Sequence, residues 1–274
     1  MNDAAELKTC CAALYQSDFA RILLGDSFHP GGVQLTARLG ELLSLEPGQR
    51  VLDVAAGRGE SAIFIAKHFH CEVVGIDFGS GNVKEATLRA EKAGVADQVR
   101  FEQGDAERLR IPDHSFDAVI CECAFCTFPD KPSAASEFAR VLRNGGRVGL
   151  SDLTRSGPLP PELEGLLAWV ACIADARPVA EYARYLEEAA FLPPVIEPHD
   201  EALLELVRDI QSKLLGAELM VKLKKLDLPG ADFEQAKALA RAAMDAIRTG
   251  LLGYTLIVAR ASACRVETHL DACP

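Results

Sequence analysis

Short apolar segments alternate with amphipathic ones between residues 50 and 153, and this alternation restricts the fold more than any other feature of the chain. The apolar segments are rich in Val and Ile, and the segments between them repeat their apolar residues with a helical period. Strands of this kind, separated by helices, predict a parallel sheet that is covered by helices on both faces. Ligands of such sheets bind beyond the carboxyl ends of the strands. The predicted strands are Arg50–Ala55, Glu72–Asp77, Val99–Asp105, Phe116–Cys123 and Arg147–Leu153.

Helices and two closing strands are predicted on either side of this region. We expect residues 1–47 to form an N-terminal helical cap, 48–154 the ligand-binding core, 155–261 a helical cap insertion with the closing strands, and 262–274 a flexible tail. The fold class is therefore α/β, with a seven-stranded, mostly parallel sheet flanked by helices and a helical cap. The closing strands are predicted at 191–198 and Gly253–Ala261. The helices outside the core are predicted at Ala12–Leu24, Val33–Leu45, Leu163–Ala176, 181–191, Asp200–Leu226 and Asp232–Leu252.

The charge balance argues against two classes of partner. The chain has 29 Lys and Arg against 40 Asp and Glu, which gives a net charge of −11. Such a surface repels nucleic-acid phosphates and anionic lipid headgroups, so we expect neither nucleic acid nor membrane as a partner. The acidic start of the chain lacks the basic region of a signal peptide. A cytoplasmic monomer or homodimer that binds a small-molecule substrate is the resulting expectation.

Nine cysteines occur in this chain, an odd number. In a cytoplasmic protein of this size, reduced thiols are the default state. Reduced thiols serve as small buried apolar groups, as nucleophiles or as ligands of soft metals. The sequence leaves these three uses open.

A glycine-containing loop follows the first predicted strand. Gly57 and Gly59 stand where the strand gives way to a helix, so that the backbone can approach a ligand closely and the helix N-terminus can offer N–H groups. No third glycine follows three residues later, which differs from a dinucleotide fingerprint. Asp77 ends the second strand and Asp105 follows the third. Carboxylates at these strand ends are suited to bind ribose hydroxyls and an adenine amino group.

These segments together resemble the class I S-adenosylmethionine-dependent methyltransferases. The resemblance covers about residues 48–154 and rests on VLDVAAGRGESAIFIA, VVGIDFG, FEQGDAERL, FDAVIC and FARVLRNGGRVGLSDL, in family order. It implies a Rossmann-like sheet and S-adenosylmethionine as the cofactor. It further implies contacts to methionine, then ribose, then adenine, with Phe78 and Cys121 as additional cofactor neighbours. The implied cofactor-binding residues are Asp53, Ala55, Gly57 and Gly59 for methionine, Asp77 for ribose, and Asp105 and Ala106 for adenine.

Two further segments resemble the arsenite methyltransferases. Residues 121–131 are similar to the SN-x-x-x-NL-x-PDK signature of that group, and residues 129–131 match its PDK. Around residue 172, a second segment is similar to the family stretch that contains one arsenic-ligating cysteine. The resemblance implies Cys172 as an arsenic ligand. Glu122 and Cys126 replace the two Asn residues of the signature, and their place near the end of the fourth strand makes them the other candidate catalytic residues. Cys123 is a further candidate metalloid ligand, and no other metal is expected.

The resemblance to arsenite methyltransferases is incomplete in two places. Ser61, Ala62 and Ile63 stand where the family has a cysteine after the glycine loop, and residues 200–252 contain no cysteine. A second thiol would therefore come from Cys126, Cys123, the tail or the pair at positions 10 and 11. The spacing of residues 121–126 is also compatible with zinc, but the usual second pair of ligands is not visible.

Structural explanations remain open for these residues. Cys121 and Cys123, two apart on a predicted strand, are explained by buried packing, and Cys172 by an apolar helical stripe. The carboxylate of Glu122 either orients a substrate group or the cofactor, or it makes a structural hydrogen bond. His29 is a candidate general base at the mouth of the pocket. An organic or lipid-like acceptor methylated at carbon, oxygen or nitrogen is an alternative to arsenite. A thiol or metalloid-binding module without catalysis is the other alternative.

Overall fold

The computed structural model describes residues 29–164, 172–173, 175–228 and 232–262. These residues form one seven-stranded sheet with helices on both faces. The strands are β1 Arg50–Val54, β2 Glu72–Asp77, β3 Val99–Gln103, β4 Phe116–Glu122, β5 Leu142–Arg155, β6 Val195–Pro198 and β7 Leu252–Arg260. The helices are α1 Gly32–Leu42, α2 Glu60–Phe69, α3 Ser80–Ala93, α4 Lys131–Val141, α5 Val179–Glu188, α6 Asp200–Lys222 and α7 Phe233–Arg248.

The strands are arranged in the order β3-β2-β1-β4-β5-β7-β6. The first five of these pair in parallel, whereas β7 is antiparallel to both of its neighbours. The prediction of a Rossmann-like, seven-stranded, mostly parallel sheet is confirmed. The chain order reverses between β1 and β4, and ligands of open α/β sheets bind at the carboxyl ends of the strands at such a point.

Alternate residues of the central strands enter two separate apolar clusters. In β1, Leu52 and Val54 belong to the cluster that includes residues of α4, α5, α6 and α7, whereas Val51 packs with residues of α1, α2 and α3. Strands buried on both faces in this way are the reason why the sequence shows continuous apolar runs there. Asp53 lies on the same side of β1 as Val51, and it is a buried acidic residue between the apolar residues Leu52 and Val54.

The PDK segment begins a helix. The side chain of Asp130 caps α4 by accepting a hydrogen bond of 3.0 Å from the backbone N–H of Ser133, and Pro132 occupies the first turn. Lys131 is 4% exposed, donates to the carbonyl of Phe128 and forms an ion pair with Asp175. In this chain the segment therefore holds the loop after β4 in place.

Several predicted boundaries differ from the structure. The strand predicted to begin at Arg147 begins at Leu142, which pairs with Phe116 directly after α4 ends at Val141. Cys123 lies beyond the end of β4 and has φ 53°, so the alternation of strand residues does not extend to it. The prediction that Cys121 and Cys123 share a strand face was wrong for this reason.

Other predicted helices are only partly comparable with the structure. The two long ones are shorter than predicted and end at Lys222 and Arg248. The helix predicted over 12–24 lies outside the described residues, as does most of the one over 163–176. In the part of the chain that the structure describes, no helix combines the length and apolar character needed to cross a bilayer.

The surroundings of Gly75 in β2 and of Gly216 in α6 predict opposite effects of Gly→Ala substitution on stability. A Cβ at Gly75 would lie 2.3 Å from the ring of Phe101, so we expect Gly75→Ala to lower the free energy of unfolding by about 1–3 kcal/mol. Gly216 lies in the interior of α6, and a Cβ there would meet nothing within 4 Å, so Gly216→Ala should raise it by about 0.5–1 kcal/mol. Urea denaturation measures both changes in the free energy of unfolding. If the two changes have the same sign, the surroundings described for these glycines are wrong.

Candidate active site

A cleft opens at the carboxyl ends of β1 and β4, where the strand order reverses. Its cavity volume is about 50 Å³, and it is open to solvent. Its walls are formed by the loop between β1 and α2, by the end of β4 and by His29. The lining residues are His29, Asp53, Ala55, Ala56, Gly57, Arg58, Glu60, Ser61 and Glu122. The sequence predicted five of these as site residues, namely Asp53, Ala55, Gly57, Glu122 and, as a candidate base, His29.

The loop between β1 and α2 depends on left-handed backbone conformations. Ala55, Gly57 and Gly59 have φ values of 59°, 53° and 81°. A Cβ at Gly59 would lie 2.5 Å from the ring of Phe101, so this position excludes a side chain on two grounds. The N–H of Gly57 points to the next strand, where it donates to the carboxylate of Asp77 at 2.8 Å. This geometry gives a ligand close access to the backbone of the loop.

Asp77 connects the loop after β1 with the start of α3. One carboxylate oxygen accepts from Gly57, and the other accepts from the N–H of Gly79 at 2.8 Å and the amide of Asn82 at 3.0 Å. Burial raises the pKa of Asp77, and these three hydrogen bonds oppose that rise. The carboxylate thus lies at the strand end that the sequence predicted for the ribose contact.

Two carboxylate oxygens in the cleft have no hydrogen-bond partner among the residues that the structure describes. Asp53 is 2% exposed and its Oδ2 is buried without a hydrogen bond, as is Oε2 of Glu60. Burial, together with the charges of Glu122 and Asp77, raises the pKa of Asp53 well above its ordinary range. Buried carboxylates without partners are costly, and a cationic ligand would relieve that cost. S-adenosylmethionine has an ammonium and a sulfonium group, so the charge of the cleft fits it.

Three further residues predicted to contact the cofactor follow β2 and β3, the two outer strands on one side of β1. Phe78 is 38% exposed directly after β2, and Asp105 accepts a hydrogen bond from the N–H of Glu107 at 3.0 Å. Ala106 packs against the apolar core. Cys121, in contrast, is fully buried in β4 and does not line the cleft. The cofactor contacts of these four residues stay predictions.

Glu122 ends β4 and is held by hydroxyl groups that the sequence analysis missed. Thr36 of α1 donates to its Oε2 at 3.1 Å, and Ser151 of β5 donates to its Oε1 at 3.3 Å. The hydroxyl of Tyr254 in β7 donates to Ser151 at 3.0 Å. The side chain of Glu122 is only 4% exposed, yet it lines the cleft. The only sign of these partners in the sequence is a hydroxyl residue inside an apolar segment. Such residues are too common to identify a hydrogen-bond partner of Glu122.

Three predicted thiol residues meet directly after β4. The side chains of Cys123 and Cys126 each hydrogen-bond to that of Cys172, whose thiol also donates to the carbonyl of Cys123 at 3.3 Å. We call Cys123, Cys126 and Cys172 the thiol cluster. The hydrogen bond to Cys172 and burial raise the pKa of Cys123 well above its ordinary range, and burial chiefly does the same for Cys126. Cys123 and Cys126 are therefore protonated thiols near neutral pH. The candidate thiols at positions 10 and 11 and in the tail lie outside the described residues.

Asp152 of β5 lies against the thiol cluster and was not predicted. Its Oδ2 accepts from the backbone N–H of Cys126 at 2.9 Å, and it also forms a hydrogen bond with the Cys126 side chain. Burial and the neighbouring Cys172 raise the pKa of Asp152 to about 7. Within the ranges that the structure describes, no group of three or more His, Cys, Asp or Glu side chains is spaced to hold a metal ion. Cys172 is the member of the cluster with which both other thiols form a hydrogen bond.

Comparisons with known proteins agree with this fold. Residues 51–146 match a family model described as a methyltransferase domain. The chain is 37% identical over 175 residues to the 27-O-demethylrifamycin SV methyltransferase of Amycolatopsis mediterranei, which covers 60% of this chain and 61% of the relative. It is 30% identical over 162 residues to the arsenite methyltransferase of Halobacterium salinarum, covering 58% of this chain and 41% of the relative.

A solved structure supports the fold over a longer range. Phosphoethanolamine N-methyltransferase 2 of Haemonchus contortus superposes with a TM-score of 0.78 over 93% of this chain and 60% of that one, at 18% identity. The chain spans about a third to three fifths of the length of the curated relatives it matches.

The sheet order, the glycine loop and the family match define the class. Residues 51–146 form a class I S-adenosylmethionine-dependent methyltransferase domain. S-adenosylmethionine is the cofactor that such a domain uses, in agreement with the unpaired carboxylates of the cleft.

Oδ2 of Asp53, which has no hydrogen-bond partner among the described residues, predicts that removing this charge raises stability and lowers ligand affinity. Because the folded-state pKa is raised, the folded protein without ligand loses stability as pH rises above about 4, the ordinary pKa of an aspartate. We expect Asp53→Asn to raise the free energy of unfolding by about 1–3 kcal/mol at pH 8 and by much less at pH 4. Its affinity for S-adenosylhomocysteine should fall about tenfold to a hundredfold. Urea denaturation at the two pH values and titration calorimetry measure these effects.

Asp97→Asn is the matched control, because Asp97 is exposed between α3 and β3. It should change neither quantity. If Asp53→Asn binds the nucleoside as tightly as the unsubstituted protein, Asp53 does not face the cationic part of the cofactor.

Proposed function

We propose that this chain transfers a methyl group from S-adenosylmethionine to a small-molecule acceptor, and that the acceptor is trivalent arsenic, as arsenite, held by cysteine thiolates. The observation that carries the acceptor is the thiol cluster, which gathers Cys123, Cys126 and Cys172 next to Glu122. The similarity to an arsenite methyltransferase over 58% of the chain supports the same acceptor.

The donor side of the reaction uses the loop after β1 and the carboxylates around it. When bound, S-adenosylmethionine supplies a methyl group on a positively charged sulfur. Asp53 and Glu60 have the unpaired oxygens to receive its ammonium group, and the left-handed loop gives close access to the backbone. Asp77 is the ribose ligand in this proposal, and Asp105 and Ala106 the adenine neighbours. The chain's contribution to the rate is to orient the two reactants and to exclude water.

The acceptor side uses soft sulfur ligands in a dry environment. Cys126 and Cys172 are at most 1% exposed, and thiolates select soft centres such as trivalent arsenic. Each thiol that replaces a hydroxide of arsenite releases one water molecule, so the thiol proton leaves with the hydroxide. Arsenic held in this way keeps a lone pair that can accept the methyl group.

Capture of arsenic requires Cys123 and Cys126 to give up their side-chain hydrogen bonds with Cys172, because the arsenic atom would bind to the same sulfur atoms. Cys123 and Cys172 have φ values of 53° and 62°, a sparsely populated region for residues with side chains. Both lie outside regular elements, Cys123 after β4 and Cys172 before α5. Their loops, rather than the sheet, would move. The thiols must also stay reduced, which agrees with a cytoplasmic location.

A small organic acceptor is the second candidate. Two compared methyltransferases are named for organic acceptors, a rifamycin precursor and phosphoethanolamine. In this chain, a histidine and three carboxylates line the cleft, and polar groups of this kind suit a protic organic group. A non-catalytic thiol module would bind the cofactor without releasing S-adenosylhomocysteine, which separates it from both enzymes.

Serine substitutions in the thiol cluster test the arsenic proposal. We expect Cys126→Ser and Cys172→Ser each to lower arsenite methylation at least a hundredfold, because a hydroxyl does not replace a soft thiolate ligand. Binding of S-adenosylhomocysteine should stay within about threefold. Methylated arsenic is quantified by mass spectrometry, and nucleoside binding by calorimetry.

Cys71→Ser is the matched control for these variants. Cys71 is 1% exposed and belongs to the apolar cluster on the opposite side of the sheet, with its thiol donating to the carbonyl of Glu46. It should keep full arsenite methylation. If the Cys126 and Cys172 variants also retain it, or if the unsubstituted chain methylates only organic acceptors, the arsenic assignment is wrong.

A further inference from the structure

His29 lines the cleft opposite the end of β4, and it is buried to 7% exposure. We propose that His29 is a general base for a protic acceptor, a thiol, hydroxyl or amine, and that Glu122 stabilises the imidazolium that forms. The inference rests on the proposed methyl transfer and names acceptor chemistry beyond arsenic, since an arsenic lone pair has no proton to lose. Four observations carry it, namely the tautomer of His29, the distances around its second nitrogen, the fixed position of Glu122 and the opening to the cleft.

The backbone fixes the tautomer of His29. Its Nδ1 lies 3.2 Å from the carbonyl oxygen of Pro30, and a carbonyl only accepts hydrogen bonds. In the neutral ring, Nδ1 therefore carries the hydrogen and Nε2 has the lone pair. The nitrogen available for accepting a proton is thus the one directed away from the chain's own carbonyl.

Nε2 of His29 faces oxygen atoms, and none of those in the described ranges lies at a short hydrogen-bond distance. The hydroxyls of Thr36 and Ser61 are each 3.5 Å away, at the long limit of a hydrogen bond, and Oε2 of Glu122 is 3.8 Å away. A histidine with a purely structural role would be expected to have a short bond at this nitrogen. The arrangement leaves room for a stronger interaction with a substrate proton.

Glu122 is placed to stabilise a positive charge on the ring. Hydroxyls of Thr36 and Ser151 hold its two oxygens, and Tyr254 holds Ser151, so the carboxylate cannot easily turn away. A charge that is already fixed stabilises a developing cation without reorganisation. The other charged groups that line the cleft are Asp53, Arg58 and Glu60.

The proton balance of the step is complete within this group of residues. As the acceptor atom forms its bond to the methyl carbon, the carbon–sulfur bond of the donor breaks and its electrons return to sulfur. The acceptor's proton passes to Nε2 of His29, and the imidazolium lies beside the carboxylate of Glu122. Solvent at the open side of the cleft removes the proton before the next turnover. No oxidant or reductant is required.

The test uses the full chain, S-adenosylmethionine and three probe acceptors, 2-phenylethanethiol, 4-methylphenol and 2-phenylethylamine, with release of S-adenosylhomocysteine as the readout. We expect at least one probe to be methylated, and His29→Ala to lower kcat for it by about 10²–10⁴-fold, the usual contribution of a general base. Added imidazole should restore at least a tenth of the lost rate. Such rescue is not expected of a residue with only a structural role.

His114→Ala is the matched control, because His114 also has Nδ1 on a carbonyl, that of Leu142 at 2.8 Å, but does not line the cleft. It should leave kcat unchanged. Glu122→Gln should lower kcat and shift the acid limb of the pH–rate profile to lower pH, because an imidazolium without its carboxylate is less stable.

Three results would overturn the inference. They are no methylation of any probe, full activity of His29→Ala, and loss without rescue by imidazole. Calorimetry with S-adenosylhomocysteine and arsenite methylation on the same preparations keep the proposals apart. If the cofactor binds and arsenite is methylated while the probes are not, only the role of His29 is wrong. If no cofactor binds, the methyl transfer itself is wrong.

Discussion

The parallel pairing of β1 with both β2 and β4 is the constraint on which the rest of the site depends. It brings three strand ends to one edge, so that the loop after β1, Asp77 of β2 and Glu122 of β4 become neighbours although they are far apart in the chain. The hydrogen bond from Gly57 to Asp77 then closes the loop onto the next strand. A shift of one residue in either pairing would turn these side chains to the opposite face of the sheet.

Negative charge accumulates at this edge, and its cost explains the affinity expected for a cation. Asp53, Asp77 and Glu122 are all largely buried there. Burial raises the pKa of both Asp53 and Asp77. Three hydrogen bonds to Asp77 offset part of its burial cost. Oδ2 of Asp53, in contrast, has no hydrogen-bond partner among the described residues. The site therefore favours a ligand with positive charge near Asp53 and hydroxyl groups near Asp77.

How much the sequence predicts follows from how local each feature is. The strands, the glycine loop and Asp77 arise from neighbouring residues, and all were predictable from the pattern. The left-handed backbone at Cys123 was not, because a strand pattern gives no sign that β4 ends one residue earlier. The partners of Glu122 come from α1 and β5, and the contact of Cys172 with residues 123 and 126 joins segments about fifty positions apart. Such meetings depend on tertiary packing.

Glu122 separates two kinds of chemistry at the end of β4. Its side chain lines the cleft beside His29, whereas the backbone continues directly into Cys123 and the thiol cluster. A protic acceptor needs the imidazole and gains nothing from soft sulfur, and an arsenic acceptor has the opposite requirement. Both sets of groups adjoin one strand end, so under the two proposals one cofactor position would serve either acceptor. Substrate choice would then depend on which side of Glu122 the acceptor occupies, and the sheet itself need not change.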